Sequence, residues 1–198
     1  RNQRTLLGDR MRAELAAWTE PEAMPITCLA SGPAREVFDL FQPGERPHAN
    51  FTCIDVDPQA NSHATRQAFQ ASALGSVLFL QDNILEMALG RGHTVLPLQQ
   101  LIYSAGFVDY LTDLQVVLLL NWIYGQLLPG GRVVIGQVGT SSPDRAYMDQ
   151  IVEWGLYYRS EESLLDLFAK SKFGTLPVEI EPDSSGVQLF ASSRKAVT

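Results

Sequence analysis

The run Ile26–Glu36, ITCLASGPARE, decides how this chain is read. Ile26 to Leu29 is a short apolar segment, Ala30, Gly32 and Ala34 are small, and charged helix formers begin at Arg35. That order predicts a buried strand, a tight turn and a helix start. A turn of small residues lets a ligand approach the backbone closely, with a helix N-terminus behind it. About twenty residues further on, CIDVDP brings Asp55 to a second strand end, where a carboxylate accepts hydrogen bonds from ribose hydroxyls. The two features outline a nucleotide-like cofactor site.

A dinucleotide fingerprint, G-x-G-x-x-G, would put glycines at 30, 32 and 35, where this chain has Ala30, Gly32 and Arg35. A bulky arginine at the third position is at odds with close helix packing under a pyrophosphate. The spacing that fits is small-x-small-x-small at 30, 32 and 34. A nicotinamide oxidoreductase is further disfavoured because Tyr103 is followed four residues later by Phe107, not by a lysine.

With 198 residues, 45% of them hydrophobic and 19% charged, the chain has material for one core and little for extended disorder. The net charge of −7, without any Lys/Arg cluster, disfavours a nucleic-acid substrate. No apolar run approaches a transmembrane span, and there is no signal-peptide pattern, so a cytoplasmic location is expected. The chain opens on Arg1 rather than Met, which leads us to expect an upstream segment or domain. Cys28 and Cys53 fall in predicted neighbouring strands and read as buried free thiols, not as a disulfide framework. His48, His63 and His93 are scattered, and no spacing suggests a metal site.

Leu7, Met11, Leu15 and Trp18 recur at helical spacing, which predicts an amphipathic N-terminal helix over 4–18. Residues 1–25 are expected to form an accessory helix and loop, a lid or docking element, with the main domain over 26–198. Predicted strands follow at 26–29, 51–56, 77–80, 101–103 and 132–137, each followed by a helical segment, and two more lie at 173–180 and 187–192. Val37, Phe38 and Phe41 share a helix face that Pro43-Gly44 ends. Asp57-Pro58 reads as a cap and first helical position, Asp113 as the cap of a helix through Leu127, and 128–131 as a turn. Ser142-Pro143 opens a helix carrying Met148, Ile151 and Val152, and Ser160 opens another. The expected fold is α/β and Rossmann-like: a seven-stranded sheet of five parallel strands plus a terminal antiparallel hairpin, with helices on both faces.

The spacing at 30, 32 and 34 resembles the first motif of class I S-adenosylmethionine (SAM) dependent methyltransferases, G-x-G-x-G, with one glycine retained. CIDVDPQA resembles their acidic second motif and FLQDNI, Phe79–Ile84, the third. LLPGGRVVIG, Leu127–Gly136, is similar to the helix-turn-strand that introduces strand five, and Glu153–Phe173 to the segment before strand six. More narrowly, CLASGPAREVFDLF, IYSAGFVDYLTD and NWIYGQLLPGG resemble the bacterial extracellular-factor 3-hydroxypalmitic acid methyl ester biosynthesis methyltransferases, whose first motif is ASGP-x-RE. The resemblance implies SAM as cofactor and O-methylation of a small hydrophobic carboxylic acid, such as a 3-hydroxy fatty acid. The competing reading is a non-catalytic SAM-binding or regulatory module with the same fold.

On this reading the turn Ala30, Ser31, Gly32 and Pro33 runs beside the cofactor's tail and ribose, and Asp55 and Val56 take the ribose side. Asp82, with Asn83 as the close alternative, accepts from the adenine amino group; either is otherwise a turn residue. Arg35 pairs with the cofactor carboxylate, oriented by Glu36, or the two form a local surface ion pair. Tyr103 and Ser104 lie after strand four near the transferring methyl, with Tyr103 equally suited to the core. Phe107, Tyr158 and Arg159 are the weaker substrate candidates, Arg159 as a forked donor for a carboxylate. Trp154, Tyr157 and Tyr158 line a substrate channel or simply pack. The sequence assigns no catalytic residue: a carboxylate acceptor needs no base, and neither His nor Glu follows strand four.

Overall fold

The computed structural model describes residues 2–41, 46–140 and 155–197. Its order is α1 (Asn2–Ala17), β1 (Met24–Leu29), α2 (Arg35–Phe38), β2 (Ala49–Asp55), α3 (Pro58–Gln70), β3 (Val77–Gln81), α4 (Ile84–Ala88), β4 (Gln99–Ser104) and a 3-10 turn (Phe107–Tyr110). α5 (Asp113–Gln126), β5 (Leu127–Val138), α6 (Glu161–Lys170), β6 (Val178–Pro182) and β7 (Gln188–Arg194) complete it. The sheet has seven strands in the order β3-β2-β1-β4-β5-β7-β6. The first five are parallel, and β7 runs antiparallel to both β5 and β6. The strand order reverses between β1 and β4, which opens a crevice at their carboxyl ends.

Strand alternation builds two cores. Leu29, Ile54, Ile102, Val133 and Ile135 face α4, α5 and α6, while Cys28, Cys53, Leu101, Tyr103 and Val134 face the side carrying α1, α2 and α3. Cys28 and Cys53 are register partners across β1 and β2, both buried free thiols, as their strand positions predict. α1 is no loose appendage. Leu7 and Met11 are buried in the core they share with β1 and β2. The buried Glu14 carboxylate accepts from Arg194 Nη2 at 2.5 Å and lies 3.5 Å from Arg132, and Arg10 reaches Glu181 at 2.6 Å. These pairs fasten α1 across β5, β6 and β7.

Several boundaries shift for local reasons. Thr112, not Asp113, caps α5, in a capping box with Gln115. The Pro129-Gly130-Gly131 turn is absorbed into β5 as an irregularity, with a register shift against β4 and Gly130 at φ 75. The predicted strand from Phe173 begins only at Val178, because Phe173 turns into the core against Tyr124 and Phe168. The Pro43-Gly44 stop, the helix predicted from Ser142 and Trp154 lie outside the described residues. Among the described residues, no helix is long and apolar enough to cross a membrane.

Candidate functional site

The turn after β1 has an alternating backbone. Ala30, Gly32 and Ala34 sit at φ 52, 50 and 48, the left-handed region. L-residues avoid it by roughly 1–2 kcal/mol. Ser31 N–H donates to Ile54 O at 3.1 Å and Ala34 N–H to Ser31 O at 2.9 Å. Asp55 clamps the turn from the end of β2: its Oδ2 accepts from Gly32 N–H at 2.7 Å and its Oδ1 from Asp57 N–H at 2.9 Å. Asp57 caps α3, accepting from Gln59 N–H at 2.8 Å with Pro58 at the first helical position.

Gly32 is the informative position. Its neighbours show that alanine is accepted at the same φ in the same turn, so backbone angle alone does not explain a glycine there. A Cβ placed on Gly32 meets nothing within 4 Å. The space is open, at the carboxyl end of the sheet, beside a carboxylate. Ser31 Oγ and Ser104 Oγ are buried and, among the described residues, have no hydrogen-bond partner. A turn of this kind leaves room above its backbone. Pro33 and Val56 are both exposed on the same rim.

The other expected contacts divide. Asp82 is buried and staples its own loop, accepting from Asn83, His93 and Thr94 N–H at 2.8, 2.9 and 2.7 Å. Burial alone would raise its carboxyl. Hydrogen bonds from Thr94, Asn83 and His93 outweigh that and hold it below the ordinary range. Asn83 caps α4 by accepting from Leu85 and Glu86 N–H. Both make the turn and cap contacts named as alternatives, and Asp82, with three backbone N–H groups on its carboxylate, has less spare acceptor capacity than Asp55, with two. Tyr103 is 1% exposed, a core aromatic. Its hydroxyl donates to Glu36 Oε1 at 2.9 Å, and Cys28 Sγ lies 3.7 Å from the same oxygen. Glu36 is thus turned inward, which corrects the pairing with Arg35. The Arg35 side chain instead lines a depression with Arg4, Phe38 and Gln67. Burial, with the Cys28 and Glu36 charges, pushes the Tyr103 phenol well up.

Beyond the turn lies a cleft of about 450 Å³ bordered by Ala30, Gly106, Phe107, Asp109, Val138 and Leu156. Phe107, a substrate candidate, borders this cleft. Arg159 does not. The guanidinium is 3% exposed and makes five hydrogen bonds within the protein: to Val108 O, Leu111 O, Gln137 Oε1 and, twice, Asp113 Oδ1. It has no fork left for a substrate carboxylate, a correction to the expected role. Tyr158 is half-buried and not among the cleft residues.

Asp109 is the residue that sequence reasoning missed. It lies in the 3-10 turn after β4, is 5% exposed, and borders the cleft. Its Oδ1 accepts from Gln137 Nε2 at 2.7 Å and from Val138 N–H at 2.8 Å. Burial pushes its carboxyl up to about 7, against the Val138 N–H and the Arg159 charge, which pull it down. The available signal was an acid three residues past a glycine at a strand end, Gly106 to Asp109.

No family model matches this sequence, and no curated relative matches it. Solved structures do. A magnesium protoporphyrin IX methyltransferase from Synechocystis, with S-adenosylhomocysteine bound, superposes with TM-score 0.71 at 10% identity over 98% of this chain and 84% of that one. The N-methyltransferase NodS from Bradyrhizobium japonicum gives 0.66 at 18%, over 98% of this chain and 97% of that one. A Nostoc punctiforme protein described as an O-methyltransferase gives 0.71 at 12%, over 96% of this chain, which spans only 57% of its partner's length. The seven-stranded sheet with its terminal antiparallel hairpin is therefore the fold of the SAM-dependent methyltransferases.

Proposed function

We propose that this chain is a SAM-dependent methyltransferase acting on an oxygen of a small, largely apolar acceptor. The observation that carries the reading is Gly32: open space over a left-handed turn in which alanine is tolerated on either side, clamped by Asp55. The turn Ala30–Pro33 would take the cofactor's tail, with Ser31 and Ser104 offering unpartnered hydroxyls. Asp55 uses two of its acceptor sites on backbone N–H groups, which leaves capacity for ribose hydroxyls on the Val56 side. Asp82 or Asn83 would meet the adenine amino group. When bound, SAM supplies an electrophilic methyl; the chain's part is to hold and align it and to exclude water.

The acceptor side is the cleft past Gly106. Its wall is mainly apolar, which suits a hydrophobic molecule better than a nucleic acid or charged peptide. A 3-hydroxy fatty acid belongs to this class and offers two oxygen nucleophiles, a carboxylate and a hydroxyl. The second reading, a module that binds SAM without turnover, is favoured by one fact: the carboxylates of Asp55 and Asp82 both already hold backbone groups. Calorimetric titration with SAM and S-adenosylhomocysteine, followed by methyl-transfer assays on decanoic acid, 3-hydroxydecanoic acid and 2-naphthol, decides between them. Binding with turnover supports the enzyme, and binding without turnover the module. Absence of binding overturns both.

A further inference from the structure

Resting on the methyltransferase reading, we propose that Asp109 is the catalytic base of this site, receiving the proton of an acceptor hydroxyl on its Oδ2. The geometry distinguishes its two oxygens. Oδ1 is fixed from behind by Gln137 Nε2 and Val138 N–H. Oδ2 is the oxygen turned toward Gly106, 3.3 Å from where a Cβ would stand on that glycine, and Gly106 borders the same cleft. A side chain at 106 would crowd Oδ2.

Behind Asp109 a hydrogen-bonded chain runs through the buried Gln137 and Arg159 out to Asp113 at the surface. Asp113 accepts from Arg159 Nε and Nη2, Arg159 Nη1 donates to Gln137 Oε1 at 2.6 Å, and Gln137 Nε2 donates to Asp109. Gln137 and Arg159 are positioning residues. They fix the carboxyl plane, and the cation makes the ionised form attainable in a buried place. Among the described residues, the charged and titratable groups facing Asp109 are Arg159, from the segment leading into α6, and beyond it Asp113 on α5; Tyr110 and Tyr157 flank the turn. Gln137 and Val138, from β5, are neutral.

Such an acid fits the task. A base that exchanges its proton near neutrality can hold the anion and still accept from a hydroxyl. In the balanced step the acceptor oxygen forms its bond to the methyl carbon as the S–C bond breaks, the sulfonium becomes a neutral thioether, and the hydroxyl proton passes to Asp109. A carboxylate acceptor has no proton to give and would be repelled by an ionised Asp109. The acceptor that this site selects is therefore a hydroxyl.

The test uses Asp109→Asn and Asp109→Glu beside the parent protein. Asparagine keeps an oxygen for Val138 N–H and removes the ionisable group. The first readout needs neither cofactor nor acceptor: thermal stability from pH 4 to 9. The parent should lose stability through neutrality on a slope absent from Asp109→Asn; coincident profiles overturn the proposal. The second readout is turnover of 2-naphthol, 3-hydroxydecanoic acid and decanoic acid, with SAM affinity measured in parallel. In Asp109→Asn, kcat on the hydroxyl acceptors should fall about 100-fold or more. SAM affinity should stay within threefold of the parent, and Asp109→Glu should recover part of the rate. Hydroxyl turnover undiminished in Asp109→Asn overturns the base while leaving the methyltransferase reading intact. Loss of SAM binding in the parent removes that reading instead.

Discussion

Replacing Gly32 separates the strain of the turn from the space above it. Ala30 and Ala34 already occupy φ 52 and 48, and Gly32→Ala, at φ 50, adds a third L-residue in that region. The left-handed cost for an L-residue is about 1–2 kcal/mol, and the lower entropy of the unfolded chain returns about 0.5–1 of it. No atom lies within 4 Å of the added Cβ, so no clash adds to the net loss. The expected destabilisation is about 0–1.5 kcal/mol, which for a chain of this size lowers Tm by at most roughly 6 °C. Gly32→Asn should be milder still, because asparagine tolerates the left-handed region. Cofactor binding should rank the other way. If the open space is where SAM approaches, the alanine methyl costs about 1–3 kcal/mol of affinity, the scale of overpacking a filled site. The longer asparagine should cost more. Scanning calorimetry and SAM titration on both variants give two opposed orders, Asn above Ala in stability and Ala above Asn in affinity. Equal SAM affinity in all three proteins would refute the cradle. A stability loss beyond about 3 kcal/mol in Gly32→Ala would show the glycine to be structural after all.

Three further outcomes follow from contacts already described. Glu14→Ala leaves Arg132 buried beside Glu179 with one fewer counter-charge and removes the α1 anchor, and should cost about 3–5 kcal/mol by denaturant unfolding; a loss below 1 would mean that α1 is held by Leu7 and Met11 alone. Asp57→Ala removes a cap and should cost about 1 kcal/mol with SAM affinity intact, whereas Asp55→Ala should both unclamp the turn, by about 1–3 kcal/mol, and weaken SAM binding. The reverse pattern in titration would exchange the two roles. The pH dependence has two arms. The folded Asp109 carboxyl is raised, so its stabilisation is complete below about pH 4 and is lost as pH rises through about 7, on the order of 4 kcal/mol in all. Asp82 and Asp183 are held low, their burial outweighed by hydrogen bonds from Thr94 and Ser185 among others; they stabilise above the ordinary carboxylate range and fail as pH drops below it. A parent protein whose stability climbs steadily from pH 4 to 8 would contradict the first arm.

What was legible in the sequence was what neighbouring residues decide. Strand one and its turn, the Asp57-Pro58 helix start and the Ser160 cap are specified within a few positions, and all three are found. The ladder of alternating residues that puts Cys28 beside Cys53 follows from period two once the strands are placed. The misreadings concern charged side chains whose partners are remote. Adjacency suggests Arg35 as the companion of Glu36, yet its partner is Tyr103, 67 residues away across the sheet. Arg159 was read beside Tyr157 and Tyr158 as an open fork, yet Val108, Leu111, Asp113 and Gln137 close it from distances of 22 to 51 residues. Asp109 went unread for the same reason. An aspartate in a turn is ordinarily a surface residue, and only Val138 and Gln137, arriving from β5, bury it with one oxygen fixed. The misassigned cation and the overlooked acid are two ends of one hydrogen-bonded chain, joined by Gln137. Residue type states what a group can do. The folded neighbours decide which groups are left free to do it, and here they close Arg159 completely while fixing one oxygen of Asp109 and setting the other beside Gly106.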